Sequence, residues 1–193
     1  MATIVGHMGR ALGHTAAKIG VSERTLRRYV GTGLLRGRRV GGALELPASE
    51  ERYLIDRHAL LTRLRAALRT ERNVRLAVLF GSAATGDDRE DSDIDLVVSL
   101  RADGPGELAA LRRRLQDTFD RDVQLVPLGE AARFPSLLVD VLEDGRVLID
   151  RDDRWASMCE SRELAIKRAR REEAALRRRA AAAVAASRRR AGR

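Results

Sequence analysis

Hydrophobic positions divide the chain into three segments with different periodicities. Over residues 1–68, apolar side chains recur at helical spacing between short glycine-containing turns. Over residues 69–151, continuous apolar runs typical of buried strands alternate with helical stretches. From residue 152 to 193 the chain favours helix, but it has few large apolar residues after Arg168. The pattern therefore predicts a small N-terminal domain, an α/β domain and a helical tail.

The first segment predicts two short helices, a hairpin and a third helix. Thr15–Ile19 is followed by Gly20, which suits the left-handed residue that ends a helix. Ser22 is a good N-cap for a second helix that runs to about Val30. The predicted hairpin strands are Arg38–Val40 and Ala43–Leu46. The third helix is predicted from an apolar stripe of Leu60, Leu61, Leu64 and Leu68.

The second predicted helix has a basic face. Arg24, Arg27 and Arg28 have the i, i+3 and i+4 spacing that places them on one exposed side. The segment Gly20–Tyr29, followed by Gly33-Leu34-Leu35, resembles the DNA-binding domain of MerR-like regulators over about the first 50 residues. The chain departs from that family after the wing, where we expect no long dimerisation helix of the usual kind.

This resemblance implies a winged helix-turn-helix whose second helix enters the major groove of double-stranded DNA. The implied DNA-contacting residues are Ser22, Arg24, Thr25, Arg27 and Arg28 on the helix and Arg38 and Arg39 on the wing. The alternative is a small helical adaptor domain whose arginines are solvated.

The middle segment predicts the elements of an α/β domain. The predicted strands are Val74–Phe80, Asp93–Leu100, Asp122–Leu128 and Arg146–Asp150, and the predicted helices are Glu107–Phe119 and Pro135–Glu143. Alternation of this kind favours a sheet covered by helices.

Residues suited to phosphate and metal chemistry follow the first strand and open the second. Gly81 lets the backbone approach a ligand, and Ser82 adds a hydroxyl and opens a turn whose amides can face a phosphate. Asp93 and Asp95 are separated by one residue, so they project from the same face of a strand. Two carboxylates roughly 6–7 Å apart can hold hard divalent cations through oxygen.

The run Leu79–Ser82, the spacer Ala83–Ser92 and the strand start Asp93–Val98 together resemble the minimal nucleotidyltransferases of the DNA polymerase β superfamily. The resemblance covers about residues 70–150. It implies a mixed sheet, a nucleoside triphosphate bound by Gly81, Ser82 and Ser92, two Mg²⁺ ions held by Asp93 and Asp95, and transfer of a nucleoside monophosphate to an acceptor hydroxyl. The alternative is an acidic surface loop, Asp87–Asp95, in front of an ordinary strand.

The chain departs from this family at its third carboxylate, which the family carries on a later strand. The corresponding residue is Gln124, whose neutral amide can ligate a metal but is not a base at neutral pH. Asp122 has the same strand parity and is the alternative third catalytic carboxylate. Because it stands about 6.6 Å along the strand from the family position, only a bulge or a shifted strand would bring it in.

Charge is distributed unevenly along the chain. Residues 1–65 have 12 basic and 5 acidic side chains, residues 66–150 have 11 and 17, and residues 151–193 have 14 and 6. A GC-rich genome would explain the abundance of arginine, but it would not explain a basic, acidic and basic order. The three segments are therefore expected to have different electrostatic roles.

Other residues carry weaker signals. The single cysteine, Cys159, excludes a disulfide within the chain and has no catalytic histidine near it in sequence. His7, His14 and His58 are scattered and are expected to be structural or solvated. Trp155 is expected to anchor the last helix. We expect a cytoplasmic protein, since no apolar run is long enough for a membrane span or a secretory signal.

Two functional interpretations stay open. The chain is a Mg²⁺-dependent nucleotidyltransferase coupled to DNA binding, or it is a DNA-binding regulator or antitoxin. In the second case a degenerate nucleotidyltransferase domain senses nucleotide or binds a partner, for which a helical toxin-type protein is a candidate.

Overall fold

The computed structural model describes residues 10–89 and 91–191, with side chains described from 12 to 179. The N-terminal unit contains, in order, β1 (Arg10–Ala11), α1 (Leu12–Ile19), α2 (Glu23–Gly31), β2 (Arg38–Val40) and β3 (Ala43–Leu46). Its three strands form an antiparallel sheet in the order β1-β3-β2. The predicted helices and hairpin are confirmed as elements, whereas β1 was not predicted.

Local chemistry accounts for the turns of this unit. The hydroxyl of Ser22 accepts a hydrogen bond of 3.1 Å from the amide of Thr25, which confirms Ser22 as the N-cap of α2. Gly20 has a φ of +71°, as a left-handed residue after α1 requires. Leu26 and Tyr29 of α2 are buried, so the opposite face of that helix is exposed.

A long helix, α3 (Ala48–Thr70), follows β3 directly. The third helix predicted here is confirmed and is longer than its leucine stripe indicated, and α3 buries that stripe within the chain. Leu61, Leu64 and Leu68 are at most 2% exposed. They pack in one core that includes residues of the N-terminal unit and of the strands that follow α3. Because α3 crosses the predicted domain boundary at residue 68, the two units have a continuous core.

A second sheet of four strands lies beyond α3. Its strands are β4 (Val74–Phe80), β5 (Ile94–Leu100), β6 (Val123–Pro127) and β7 (Arg146–Asp150), in the order β6-β5-β4-β7. The sheet is mixed, as predicted: β4 is antiparallel to both of its neighbours, and β5 and β6 are parallel. The helices of this region are α4 (Ser82–Thr85), α5 (Pro105–Phe119), α6 (Leu128–Ala131) and α7 (Pro135–Asp144).

Alternation along the strands assigns their side chains to two cores. On β4, Ala77 and Leu79 join the core with α3 and α5, whereas Leu76 and Val78 face the core with α7. Between residues 74 and 150, the predicted strands and helices differ from the observed ones by no more than two residues at either end. The single-turn helices α4 and α6 were not predicted, since four residues are too few for a periodic signal.

The C-terminal segment forms α8 (Arg154–Glu160) and α9 (Arg162–Ala191). The start of α9 packs on α7, where Ala165 is buried and Arg162 forms a 2.8 Å ion pair with Glu143. Farther along, Leu176 is 63% exposed, and the Val184 side chain lies outside the described residues. Trp155 is partly buried against the core on the α7 side and so anchors α8. Among the described residues, no helix is long and apolar enough to cross a bilayer.

A buried ion pair joins the two units. Arg146 on β7 is 2% exposed, and its guanidinium pairs with the carboxylate of Glu50 on α3. The same guanidinium donates to the carbonyl of Ala84 at 2.6 Å and to that of Leu34 at 3.3 Å, and it lies 3.3 Å from the centre of the Tyr53 ring. Arg146 thereby bonds to α3, to α4 and to the segment between α2 and β2.

Removal of Arg146 should leave Glu50 as an uncompensated buried charge. We expect Arg146→Met to lower the free energy of unfolding by about 3–5 kcal/mol, measured by urea denaturation. The control is Arg177→Ala, which breaks the exposed pair with Glu173 and should change stability by less than about 0.5 kcal/mol. Equal losses for the two variants would contradict a structural role for the buried pair.

Candidate active site

The turn after β4 lies directly against a carboxylate. Gly81 has φ +69° and ψ −157°, a backbone conformation that other residues avoid. A Cβ built on Gly81 would come within 2.6 Å of Oδ2 of Asp95. The Ser82 carbonyl accepts from the amides of Gly86 and Asp87, at 2.8 and 3.0 Å, which closes the turn through α4. The absence of a side chain at Gly81 therefore leaves space beside the Asp95 carboxylate.

The strand register brings the predicted carboxylate pair to this turn. Asp95 is paired with Phe80 on β4 and with Gln124 on β6. Asp93 precedes β5 and shares the strand face of Asp95. Burial raises the pKa of Asp95, and the nearby charge of Asp93 raises it further. Carboxylates that repel each other in this way are suited to a cation between them.

Gln124 lies beside the pair, at the position where the family resemblance places a third carboxylate. Its Nε2 donates a 2.5 Å hydrogen bond to Oδ2 of Asp93. The Gln124 amide therefore donates to a carboxylate oxygen of Asp93 that could otherwise bind a metal. A carboxylate at this position would repel Asp93 and Asp95 until a cation was bound.

Asp122 lies next to the pair but has its own partner. Its carboxylate accepts a 2.9 Å hydrogen bond from Nε2 of Gln116, and its carbonyl accepts from the amide of Ile94 at 2.8 Å. Asp93, Asp122 and Gln124 line a surface cavity of about 420 Å³, together with Arg112, Leu125 and Val126. The catalytic role of Asp122 stays a prediction.

Ser92 holds the loop that precedes the pair. Its hydroxyl accepts a 2.9 Å hydrogen bond from the amide of Arg89, and its carbonyl accepts a 2.8 Å bond from Nε of Arg121. Both groups therefore bond within the protein, and the predicted contact between Ser92 and nucleotide stays a prediction.

Sequence reasoning missed the residues that support the turn from α3. Tyr53 donates its hydroxyl to the carbonyl of Ala83 at 3.0 Å, and burial raises the pKa of Tyr53 to about 12. Arg57 donates to the carbonyl of Gly86 at 3.2 Å. No local pattern marks these residues, because each contacts a partner about 30 positions away in sequence.

The resemblance implies Mg²⁺, and the donors fit one such ion. Asp93 and Asp95 offer hard carboxylate oxygens, and water and substrate phosphates can complete the coordination. Within the described residues, no group of three or more acidic, histidine or cysteine side chains is arranged for a metal. The resemblance also implies a second ion, but Gln124 provides no third carboxylate to bind it.

The predicted DNA-contacting residues lie on the exposed side of the N-terminal unit. Arg24, Arg27 and Arg28 are exposed on one face of α2. Several of the predicted residues have local contacts, namely Arg27 with Glu23 at 2.9 Å, the Ser22 and Thr25 hydroxyls with each other at 3.0 Å, Arg38 with Glu45 at 3.8 Å, and Arg39 with the Gly42 carbonyl at 3.5 Å.

His14, His58 and Cys159 lie outside this site. His14 is exposed, and His58 lies 3.5 Å from the Thr62 hydroxyl, whereas His7 lies outside the described residues. Partial burial raises the pKa of the Cys159 thiol, which disfavours the reactive thiolate.

The raised pKa of Asp95 makes a prediction about stability without metal. An acid whose pKa is higher in the folded state stabilises the fold at low pH, and this contribution is lost as pH rises through the folded pKa. Asp95→Asn should therefore raise the free energy of unfolding near pH 7 in a chelator, and the gain should shrink toward about pH 3. The measurement is urea denaturation at both pH values.

Asp152→Asn is the control with the opposite sign. A hydrogen bond from Arg75 lowers the pKa of Asp152, so its stabilisation exists above the unfolded pKa and is lost as pH falls. Asp152→Asn should therefore be less stable than wild type near neutral pH. A loss of stability for Asp95→Asn near pH 7 would show that the carboxylate does not strain the metal-free site.

Comparisons with known proteins give the family and the fold that this region is similar to. Residues 62–154 match the family model described as polymerase beta, nucleotidyltransferase. No curated protein sequence matches the chain. A chain in a toxin–antitoxin complex solved with AMP-PNP is 24% identical, with 60% of this chain and 94% of that chain covered and a TM-score of 0.51.

Two variants of the MntA–HpeT toxin–antitoxin complex give similar values. One matching chain is 22% identical, with 60% of this chain and 94% of that chain covered and a TM-score of 0.51. The other is 24% identical, with 60% and 92% covered and a TM-score of 0.50. At these identities the likeness is one of fold. The nucleotidyltransferase family model thus matches residues 62–154, a little under half of the chain, and the solved structures agree with it in fold.

Proposed function

We propose that this chain binds a nucleoside triphosphate with Mg²⁺ and transfers its nucleoside monophosphate to an acceptor hydroxyl. The observation that carries the proposal is the approach of the Gly81 backbone to Asp95, which puts a turn suited to phosphate beside a carboxylate pair suited to a cation. In the reaction, the acceptor oxygen bonds to the α-phosphorus and the bond from that phosphorus to the bridging oxygen breaks. Pyrophosphate leaves, and the hydroxyl proton passes to a base.

The residues divide this work between them. Gly81 leaves room for the triphosphate, and the backbone amides of Ser82 and Ala83 at the start of the turn can donate to phosphate oxygens, whereas those of Ala84 and Thr85 donate to the Gly81 carbonyl. Asp93 and Asp95 would hold Mg²⁺, which neutralises phosphate charge when bound. Gln124 cannot accept the acceptor's proton at neutral pH. Asp122 lines a cavity together with Asp93 and Gln124, and it is the carboxylate available for that step once Gln116 releases it.

A second candidate is a nucleotide-binding regulator or antitoxin without transferase activity. The hydrogen bond from Gln124 to Asp93 favours it, because an amide has replaced the base and occupies a metal-binding oxygen. The exposed arginine face of α2 supports DNA binding by such a protein. Structures of the same fold come from toxin–antitoxin complexes, which supports a toxin-type protein partner.

Substitution at Gln124 separates the two candidates. We expect wild type to bind nucleoside triphosphate in calorimetry only with Mg²⁺, and to release pyrophosphate slowly. Gln124→Asp supplies a base and should raise the release rate by about 100-fold. Asp93→Ala with Asp95→Ala should abolish both binding and release.

The matched control is Asp103→Ala with Asp117→Ala, which removes two exposed carboxylates outside the site. Unchanged turnover in Asp93→Ala with Asp95→Ala would sink the transferase proposal. Binding without any release in wild type, and release only from Gln124→Asp, would favour the regulator. If wild type binds no triphosphate, neither nucleotide role stands.

DNA binding by the N-terminal unit has its own test. The wild-type affinity for a duplex should fall steeply with salt, because arginines displace counterions from phosphates. Arg24→Ala with Arg27→Ala should weaken binding and reduce the salt slope by about 2. The control is Arg170→Ala with Arg171→Ala, which removes the same charge from exposed positions of α9. Equal binding by wild type and the α2 variant would remove the helix-turn-helix assignment.

A further inference from the structure

The loop between the Gly81-Ser82 turn and the carboxylate pair contains a buried charge. The side chain of Asp88 is only 4% exposed. Burial of a carboxylate is unfavourable unless cations and hydrogen bonds compensate it. The neighbours of Asp88 therefore determine the conformation of this loop.

Arg57 compensates Asp88 from α3. Its Nε lies 2.7 Å from Oδ1 of Asp88, and its Nη2 donates to the carbonyls of Gly86 and Asp88, both at 3.2 Å. One guanidinium thus bonds to the side chain and to two backbone carbonyls of the same loop. The planar fork of arginine allows this combination, which a lysine ammonium cannot reproduce.

Arg121 compensates the other carboxylate oxygen and reaches the far end of the loop. Its Nη2 lies 3.3 Å from Oδ2 of Asp88, and its Nε donates to the carbonyl of Ser92 at 2.8 Å. Ser92 is the residue before Asp93. The chain of bonds from Arg57 through Asp88 to Arg121 therefore ends at the peptide bond that joins Ser92 to Asp93, a candidate metal ligand.

We propose that Arg57, Asp88 and Arg121 form a clamp that positions Asp93 relative to the Gly81-Ser82 turn. The clamp rests on the proposed nucleotide site and adds positioning residues to it. Arg57 precedes residues 62–154, the part that matches the family model, so α3 supplies a support that this part does not contain. Outer residues that orient metal ligands commonly govern metal affinity.

The clamp is compact enough to act by geometry. Arg57 and Arg121 are 25% and 15% exposed, so solvent screens their pairs less than surface pairs. Both arginines bond to backbone carbonyls as well as to Asp88, which fixes the loop and not only the charge. A removed guanidinium should therefore loosen the loop even where the fold persists.

The test compares Arg57→Ala, Arg57→Lys and the control Arg63→Ala. Arg63 stands on the same helix and bonds to the Thr118 carbonyl at 3.0 Å, away from the loop. The first measurement is hydrogen exchange, without nucleotide, at the amides of Gly86, Asp87, Arg89 and Ser92, which are hydrogen-bonded within the turn and loop. The second is calorimetry of Mg²⁺ with adenosine triphosphate.

Arg57→Ala should lose exchange protection at these amides and should weaken nucleotide binding by about 10–100-fold. Arg57→Lys keeps the charge but loses the planar fork of the guanidinium, so its nucleotide binding should be as weak as that of Arg57→Ala. Millimolar guanidinium should restore binding to Arg57→Ala, a recovery that general destabilisation would not show. Arg63→Ala should match wild type in both measurements.

If Arg57→Ala has the same exchange protection and the same nucleotide affinity as Arg63→Ala, the clamp proposal is overturned. If wild type binds no nucleotide, the proposed function fails, and exchange decides the clamp alone: loss confined to the loop supports it and unchanged protection overturns it. If Arg57→Ala does not fold, Asp88→Asn provides the same two readouts, since it keeps the side-chain shape and removes the charge.

Discussion

The buried ion pair between Arg146 and Glu50 is the constraint on which the arrangement of this protein depends. Removing two charges from water costs several kcal/mol for each ion, so the pair persists only with complete hydrogen bonding. Here that bonding includes the carbonyls of Ala84 and Leu34 and the amide of Arg36. The pair therefore has all of its hydrogen-bond partners only when α3, β7, α4 and the segment between α2 and β2 are packed together.

Helix α3 transmits this constraint to the candidate active site. Glu50, Tyr53 and Arg57 follow one another at i, i+3 and i+7, so they lie on one face of the helix. That face contacts the Arg146 guanidinium, the Ala83 carbonyl and the Asp88 loop. Helix α3, most of which lies before the predicted boundary at residue 68, thus supports the turn and the loop next to the carboxylate pair.

The sequence predicted what depends on local patterns. The strands from β4 to β7 have continuous apolar runs, and the spacing of Gly81 from Asp93 and Asp95 indicated where a site would form. It did not predict that Arg146 is buried, because an arginine on a strand resembles a surface residue until its partner 96 positions away is known. No local pattern marks Asp88 as buried, because its partners Arg57 and Arg121 are 31 and 33 positions away, and β1 was missed because its pairing with β3 is not local.

The most direct test of the account is a crystal structure of the protein with Mg²⁺ and a non-hydrolysable nucleoside triphosphate. The account predicts triphosphate oxygens at the amides of the Gly81-Ser82 turn and one Mg²⁺ between those oxygens and the carboxylates of Asp93 and Asp95. It also predicts that the Gln124 amide leaves the metal-binding oxygen of Asp93. Nucleotide bound elsewhere, or bound here while Gln124 still occupies that oxygen and no metal is present, would contradict the assignment.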